Sequence, residues 1–343
     1  MKKIAKSKLS ELFSFISGDS DLFLPIKKAG QVNFELWDEE KEVSLETVKT
    51  VKSGKDIFFP QSENLYTCHR NKNKLSIVPE ELCDKEFVVF GMKACDVRGI
   101  EVLDKVFLLE PVDTFYLSRR RKGTILSLAC FTPDESCFCK AFDIDCLEPG
   151  ADVSMWLINE LLYLKENTEK GKKFIEKISG LLEDADESEI NNKKEEALKV
   201  IKKLPLMNLS LEGWDGTVLD EKFNSGLWEE LYKPCLTCGT CTFVCPTCQC
   251  YDIKDYDTGN GIKRYRCWDS CMYSDFTMMA HGNNRTSQMQ RFRQRFMHKL
   301  VYFPANNEGM YSCVGCGRCV EKCPSSLNIV KVIKAFQKQG GKN

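Results

Sequence analysis

CLTCGTCTFVCP, residues 235–246, and CVGCGRCVEKCP, residues 313–324, are two copies of one pattern. In each, four cysteines follow the spacing C-x2-C-x2-C-x3-C and a proline comes next, Pro246 or Pro324. Three thiolates on a tight loop reach three irons of one [4Fe–4S] cube, and the fourth cysteine of such a run ligates the cluster of the other run. Small residues, here Gly239, Gly315 and Gly317, let the backbone curl so that its amides point at the sulfurs. The proline stops the loop and turns the chain. The pattern therefore predicts one cluster on Cys235, Cys238, Cys241 and Cys323, and a second on Cys313, Cys316, Cys319 and Cys245. Structural zinc is the competing reading of a single run, but zinc sites pair two CxxC units across a longer spacer.

The remaining composition is consistent with a metal-rich chain. Of 343 residues, 19 are cysteine: seven between Cys68 and Cys146 and twelve between Cys235 and Cys323. Lys+Arg is 49 against Asp+Glu 50, a net charge of -1. That balance offers no field for coating nucleic acid. No apolar run approaches the roughly 18–20 residues that cross a bilayer, so no membrane insertion is expected. The basic start, MKKIAKSKLSELFSFISGD, is broken by Glu11 and serines, which does not suit a secretory signal. A cytoplasmic chain keeps its thiols reduced, so metal explains the cysteines better than disulfides.

The expected fold class is α+β. An N-terminal α/β domain, 1–205, is followed by a linker, 206–228, and a mainly helical, bacterial-ferredoxin-like domain for two [4Fe–4S] clusters, 229–343, with an insertion between its motifs. FVVFGM (87–92) is an apolar run suited to a buried strand, and GTILSLAC (123–130) is a second. KACDVRGIEVLDKVFL between them has Ile100, Leu103, Val106 and Phe107 at helical spacing, so strand, helix and strand form a βαβ unit. QVNFELW and EVSLETV alternate like strands of a smaller sheet. LLEDADESEINNKKEEALKVIKK reads as a solvated helix or connector. The longest helix of the second half is expected at 287–303, with short helices between the cysteine clusters.

Further thiols define candidate sites. Cys95 follows one predicted strand, and Cys130, Cys137 and Cys139 follow its neighbour, where sites form in open α/β sheets. Together they are a candidate for an additional cluster, or alternatively a set of buried or reactive thiols. Cys248, Cys250, Cys267 and Cys271 in the insertion are a candidate for another, or packing thiols. Cys68, Cys83 and Cys146 read as isolated. Arg285, Arg291, Arg293, Arg295 and Lys299 form either a charge-compensating face for anionic clusters or a solvated one, the solvated reading being preferred. Asp96 and Arg98 suggest a local ion pair. His69, His281 and His298 show no ligand spacing. Neither G-x-G-x-x-G after a strand nor G-x-x-x-x-G-K-[ST] occurs, so nothing marks a nucleotide site.

FGMKACDVRGIEVLD, LSLACFTPDESCFC, CLTCGTCTFVCPTCQCYDI, RCWDSC and YSCVGCGRCVEKCP occur in that order. The set resembles the β subunit of the sulfhydrogenase type of cytosolic [NiFe] hydrogenase and, more distantly, the A subunit of anaerobic sulfite reductase. The resemblance implies an iron–sulfur electron-transfer subunit of an anaerobic redox complex. Its partners would be a flavin- and NAD(P)H-binding reductase-like subunit and a catalytic redox subunit. It also implies that Cys95, Cys130, Cys137, Cys139, Cys248, Cys250 and Cys271 match family positions, whereas Cys68, Cys83, Cys146 and Cys267 are peculiar to this chain. Two rivals stand beside the relay. One is a reductase of a disulfide or sulfur compound acting at the N-terminal cysteines; the other is a scaffold whose clusters only hold the fold.

Overall fold

Every residue of Phe87–Met92 is buried, which requires a sheet covered on both faces. The computed structural model, which describes residues 1–71 and 74–340, supplies that sheet. Its longer sheets are built from the strands β1 (Lys2–Ala5), β2 (Asp21–Lys28), β3 (Gln31–Leu36), β4 (Ser62–Asn71), β5 (Lys74–Pro79), β6 (Phe87–Met92), β7 (Gly123–Leu128), β8 (Val153–Ile158), β9 (Leu161–Glu166), β10 (Glu183–Asp184), β11 (Tyr251–Asp257) and β12 (Gly261–Trp268). Eight of them form one mixed sheet in the order β10-β1-β9-β8-β7-β6-β2-β3. The central pairs β2–β6, β6–β7 and β7–β8 are parallel. The helix Ala94–Phe107 makes the crossover from β6 and buries Val97, Ile100, Leu103 and Phe107.

Two sequence expectations change here. QVNFELW does form a strand, β3, but it is the edge of the large sheet, paired with β2. EVSLETV forms no strand; its one ladder contact is the bridge from Ile26 to Val43. Alternation alone could not distinguish a strand from an irregular segment laid along an edge.

The charged segment before residue 205 forms the helix Ser188–Ile201. It buries Ile190, Ala197 and Ile201, so it covers the protein rather than spanning solvent. Residues 206–228 place Met207, Leu209, Trp214 and Trp228 in the core, where both indoles meet Phe336 at ring distances of 5.0 and 4.9 Å.

The insertion between the cysteine runs also differs from the short helices expected. It forms the hairpin β11–β12, and β12 pairs with β4, giving a four-stranded antiparallel sheet β11-β12-β4-β5. A buried arginine ties this sheet to the N-terminal part: Arg266 pairs with Glu63 and Asp113. After the hairpin comes the helix Gln288–Met297, whose N-cap Ser287 and Gln290 form a reciprocal capping box. No helix among the described residues is long and apolar enough to cross a membrane.

Candidate metal centres

Each cysteine run begins in a loop too short for regular structure and ends in one helical turn, Thr240–Phe243 or Arg318–Glu321. The residues before those turns, Gly239 and Gly317, have φ of 74° and 77°, a left-handed conformation that glycine adopts without strain. Thiols and amides then face a common centre. Thr237 N–H donates to the Cys235 sulfur at 3.4 Å, and Leu327 N–H to the Cys323 sulfur at 3.2 Å.

The structure brings Cys235, Cys238, Cys241 and Cys323 around one cavity, together with Phe292 and Arg295. Cys238 is exposed and the other three are partly buried, so this cavity reaches the surface. Deeper in, Cys245 lies with Cys313, Cys316 and Cys319, each within electrostatic reach of it. Cys313 and Cys316 are buried. The fourth cysteine of each run thus stands with the first three of the other.

A third group forms at the carboxyl ends of β6 and β7. Cys130 is within reach of Cys137 and Cys139, and Cys95 of Cys139. Burial pushes the Cys130 and Cys137 thiols up to about 11. Cys146, which reads as isolated in the sequence, lies within close reach of Cys139, and its carbonyl accepts from Cys130 N–H at 2.8 Å. No spacing rule points to Cys146; only the return of the loop after Phe142 brings it back.

This group abuts the second run. Cys95 is within reach of Cys316. Phe138 N–H donates to the Gly315 carbonyl at 2.8 Å. Arg318, 1% exposed, grips Asp96 with two N–H donors, at 2.5 and 2.8 Å, and donates to the Thr50 carbonyl at 2.8 Å. The local Asp96–Arg98 pair therefore does not form: Asp96 is taken by Arg318, and Arg98 pairs with Glu101 at 2.7 Å on the helix surface. Gly99 brings the same helix against the first run, since a Cβ there would lie 2.8 Å from Pro246 Cβ.

The basic stretch divides in two. Arg295 and Lys299 are buried, each 4% exposed, while Arg285, Arg291 and Arg293 stay partly exposed. Lys299 donates to the Cys245 sulfur at 3.4 Å, to Thr247 Oγ1 at 2.8 Å and to the Ser312 carbonyl at 3.0 Å. Burial pulls its pKa down, but the facing sulfurs of Cys245, Cys248 and Cys313 outweigh that and raise it. Arg295 faces Cys241 and Cys319, and its Nε has no partner. Among the described residues neither cation has a carboxylate within 4.0 Å. A buried cation without a counter-charge costs several kcal/mol. Thiolates wrapped around an anionic cluster supply that charge, so these residues suit the group.

In the insertion, Cys248, Cys250 and Cys271 come together beside Cys245. Cys267 does not join them. It sits within β12 opposite Asp252 and Ser62, because the strand carries it past the turn that returns Cys271. Among the described residues no three Cys, His, Asp or Glu side chains close on a single ion, as a lone zinc would need.

A family model described as a 4Fe-4S dicluster domain matches residues 234–327. The β subunit of sulfhydrogenase 2 from Pyrococcus furiosus is 32% identical over 336 residues, which cover 96% of this chain and 96% of that protein. No solved structure matches the chain.

Proposed function

The chain belongs to the family of sulfhydrogenase β subunits, and from that footing we propose that it is the iron–sulfur relay between a flavin- and NAD(P)H-binding subunit and a catalytic redox subunit. Such clusters, when bound, take up and release electrons one at a time. The observation that carries the reading is the exchange of fourth cysteines, Cys245 and Cys323, between two runs that line adjacent centres. A single structural metal would not need two interlocked sets.

In this reading Cys235, Cys238, Cys241 and Cys323 hold one [4Fe–4S] cluster, and Cys313, Cys316, Cys319 and Cys245 hold the other. Cys95, Cys130, Cys137 and Cys139 hold a third, joined to the second by the Arg318–Asp96 pair and the Phe138–Gly315 hydrogen bond. Arg295 and Lys299 offset the charge that accumulates on reduction, and their burial keeps water from screening it. The exposed Cys238 and its neighbour Leu236, 65% exposed, mark the surface where a redox partner comes close to the first set. Burial of Cys137 and Cys139 favours electron storage over a substrate-reducing role at the N-terminal set.

The test is anaerobic purification of the chain from its native source together with whatever binds it. The relay reading expects a flavin-containing subunit and a second redox subunit to accompany it. It also expects Cys316→Ser to abolish NAD(P)H-driven electron delivery while flavin reduction persists. Turnover of polysulfide or a disulfide by the isolated chain, with reduced viologen as donor, would replace the relay with the reductase.

A further inference from the structure

Three thiols of the insertion are left over by the relay. The hairpin brings them together: Tyr251 pairs with Trp268, and Asp269 N–H donates to the Cys250 carbonyl at 2.9 Å. The chain then turns, and Cys271 returns to Cys250. The two thiols come within close electrostatic reach of each other. Cys248 lies within reach of both and against Cys245.

A second, independent observation concerns charge. Lys55, 2% exposed, comes from the N-terminal part of the chain and donates to the Cys248 carbonyl at 2.9 Å. Its ammonium stands 3.5 Å over the Trp268 ring. Burial holds its pKa below the ordinary lysine value; the groups that oppose this are the sulfurs of Cys248 and Cys245 and, beyond ion-pair distance, the Asp56 carboxylate. Among the described residues it has no carboxylate within 4.0 Å. Arg295 and Lys299 already face the two ferredoxin-type sets, so keeping Lys55 charged calls for a further anion, and the sulfur it faces first is that of Cys248 in the insertion. Neutral thiols do not provide one. A ring face offsets only a small part of what it costs to bury a cation.

We propose that Cys248, Cys250 and Cys271 are the three thiolate ligands of an additional iron–sulfur centre, with Lys55 as its counter-charge and a non-thiol ligand on the remaining iron. Cys250 also lines a surface pocket with Val106, Phe107, Pro111, Asp113 and Phe276, which gives that iron a route to a ligand from solvent. The centre adjoins the Cys245 set and does not depend on the relay reading.

The experiment uses the full chain prepared without oxygen, with iron and acid-labile sulfide counted per chain. Cys250→Ser together with Cys271→Ser is expected to remove about four irons and four sulfides. The EPR signals that Cys235→Ser and Cys313→Ser abolish should persist in that variant. Cys267→Ser is expected to remove none. Lys55→Met leaves all ligands in place and is expected to lower the midpoint potential of an EPR-visible centre distinct from those two, by more than it lowers that of the Cys313 cluster, whose ligand Cys245 it also faces. Unchanged iron in the double variant overturns the proposal, as does a Cys250–Cys271 disulfide in the isolated protein by mass. If the double variant fails to fold, Lys55→Met decides: an unmoved potential overturns the proposal. The relay reading fails separately, if Cys235→Ser and Cys313→Ser leave iron content and EPR untouched.

Discussion

Lys299 is held by one sulfur, one hydroxyl and one carbonyl, and its charge must be answered by whatever the surrounding thiolates bind. At about 5 Å and an effective dielectric near 20, a unit charge is worth about 3 kcal/mol. Lys299→Met is therefore expected to lower the midpoint potential of the cluster on Cys245, Cys313, Cys316 and Cys319 by on the order of 100 mV, read by EPR-monitored titration. An unchanged potential would show that the ammonium does not face the redox centre. Arg318 presents the structural counterpart. Removing one member of a buried ion pair costs about 3–5 kcal/mol, so Arg318→Met should lower the unfolding midpoint sharply, and adding Asp96→Asn should restore part of the loss. Equal stability of the single and double variants would contradict the pairing. At this scale the ligand sets were readable because spacing within a run is a local property. The partner of Asp96 was not: Arg98 is two residues away in sequence and Arg318 is 222, and only the folded chain chooses between them.

Among the elements, the loop of the second run is the tightest junction. A Cβ on Gly315 would lie 2.4 Å from the Phe138 carbonyl, and its φ is 59°. Gly315→Ala is expected to destabilise the protein by about 1–3 kcal/mol through strain and overpacking. It should also loosen the loop bearing Cys137 and Cys139, seen as faster hydrogen exchange there. Ordinary stability would mean that the two loops are not in contact. The βαβ unit was legible because FVVFGM is apolar throughout, and only a doubly covered strand accepts that pattern. The insertion hairpin was missed although its signal is present: DTGNG at 257–261 is a turn sequence between two alternating stretches. That hairpin decides which insertion thiols meet, since it removes Cys267 and returns Cys271.

For the molecule as a whole, thiol ionisation and folding are linked. In the iron-free chain, burial pushes Cys130, Cys137 and Cys241 up to about 11, above the roughly 8.5 of an unfolded thiol. Below that lower value thiols are neutral in both states and the fold loses nothing. As pH rises from about 8.5 to about 11, the unfolded chain ionises first and stability falls. The urea midpoint of the iron-free chain should decline over this window, while the loaded chain, whose thiolates are bound to iron, should not follow it. A flat profile for the iron-free chain would contradict the buried environment. The interleaving of the two halves, with β12 paired to β4 and Arg318 locked to Asp96, lay beyond sequence reading because both contacts join segments about 200 residues apart. The measurement that tests the central claim most directly is EPR during stepwise reduction of the anaerobically purified chain, wild type beside Cys245→Ser. The account predicts reducible [4Fe–4S] signals in the wild type. In the variant, the signal lost or altered should be the one abolished by Cys316→Ser, with the signal abolished by Cys235→Ser retained. Zinc-loaded protein with no reducible centre, or a Cys245 variant that disturbs the Cys235 signal instead, would contradict it.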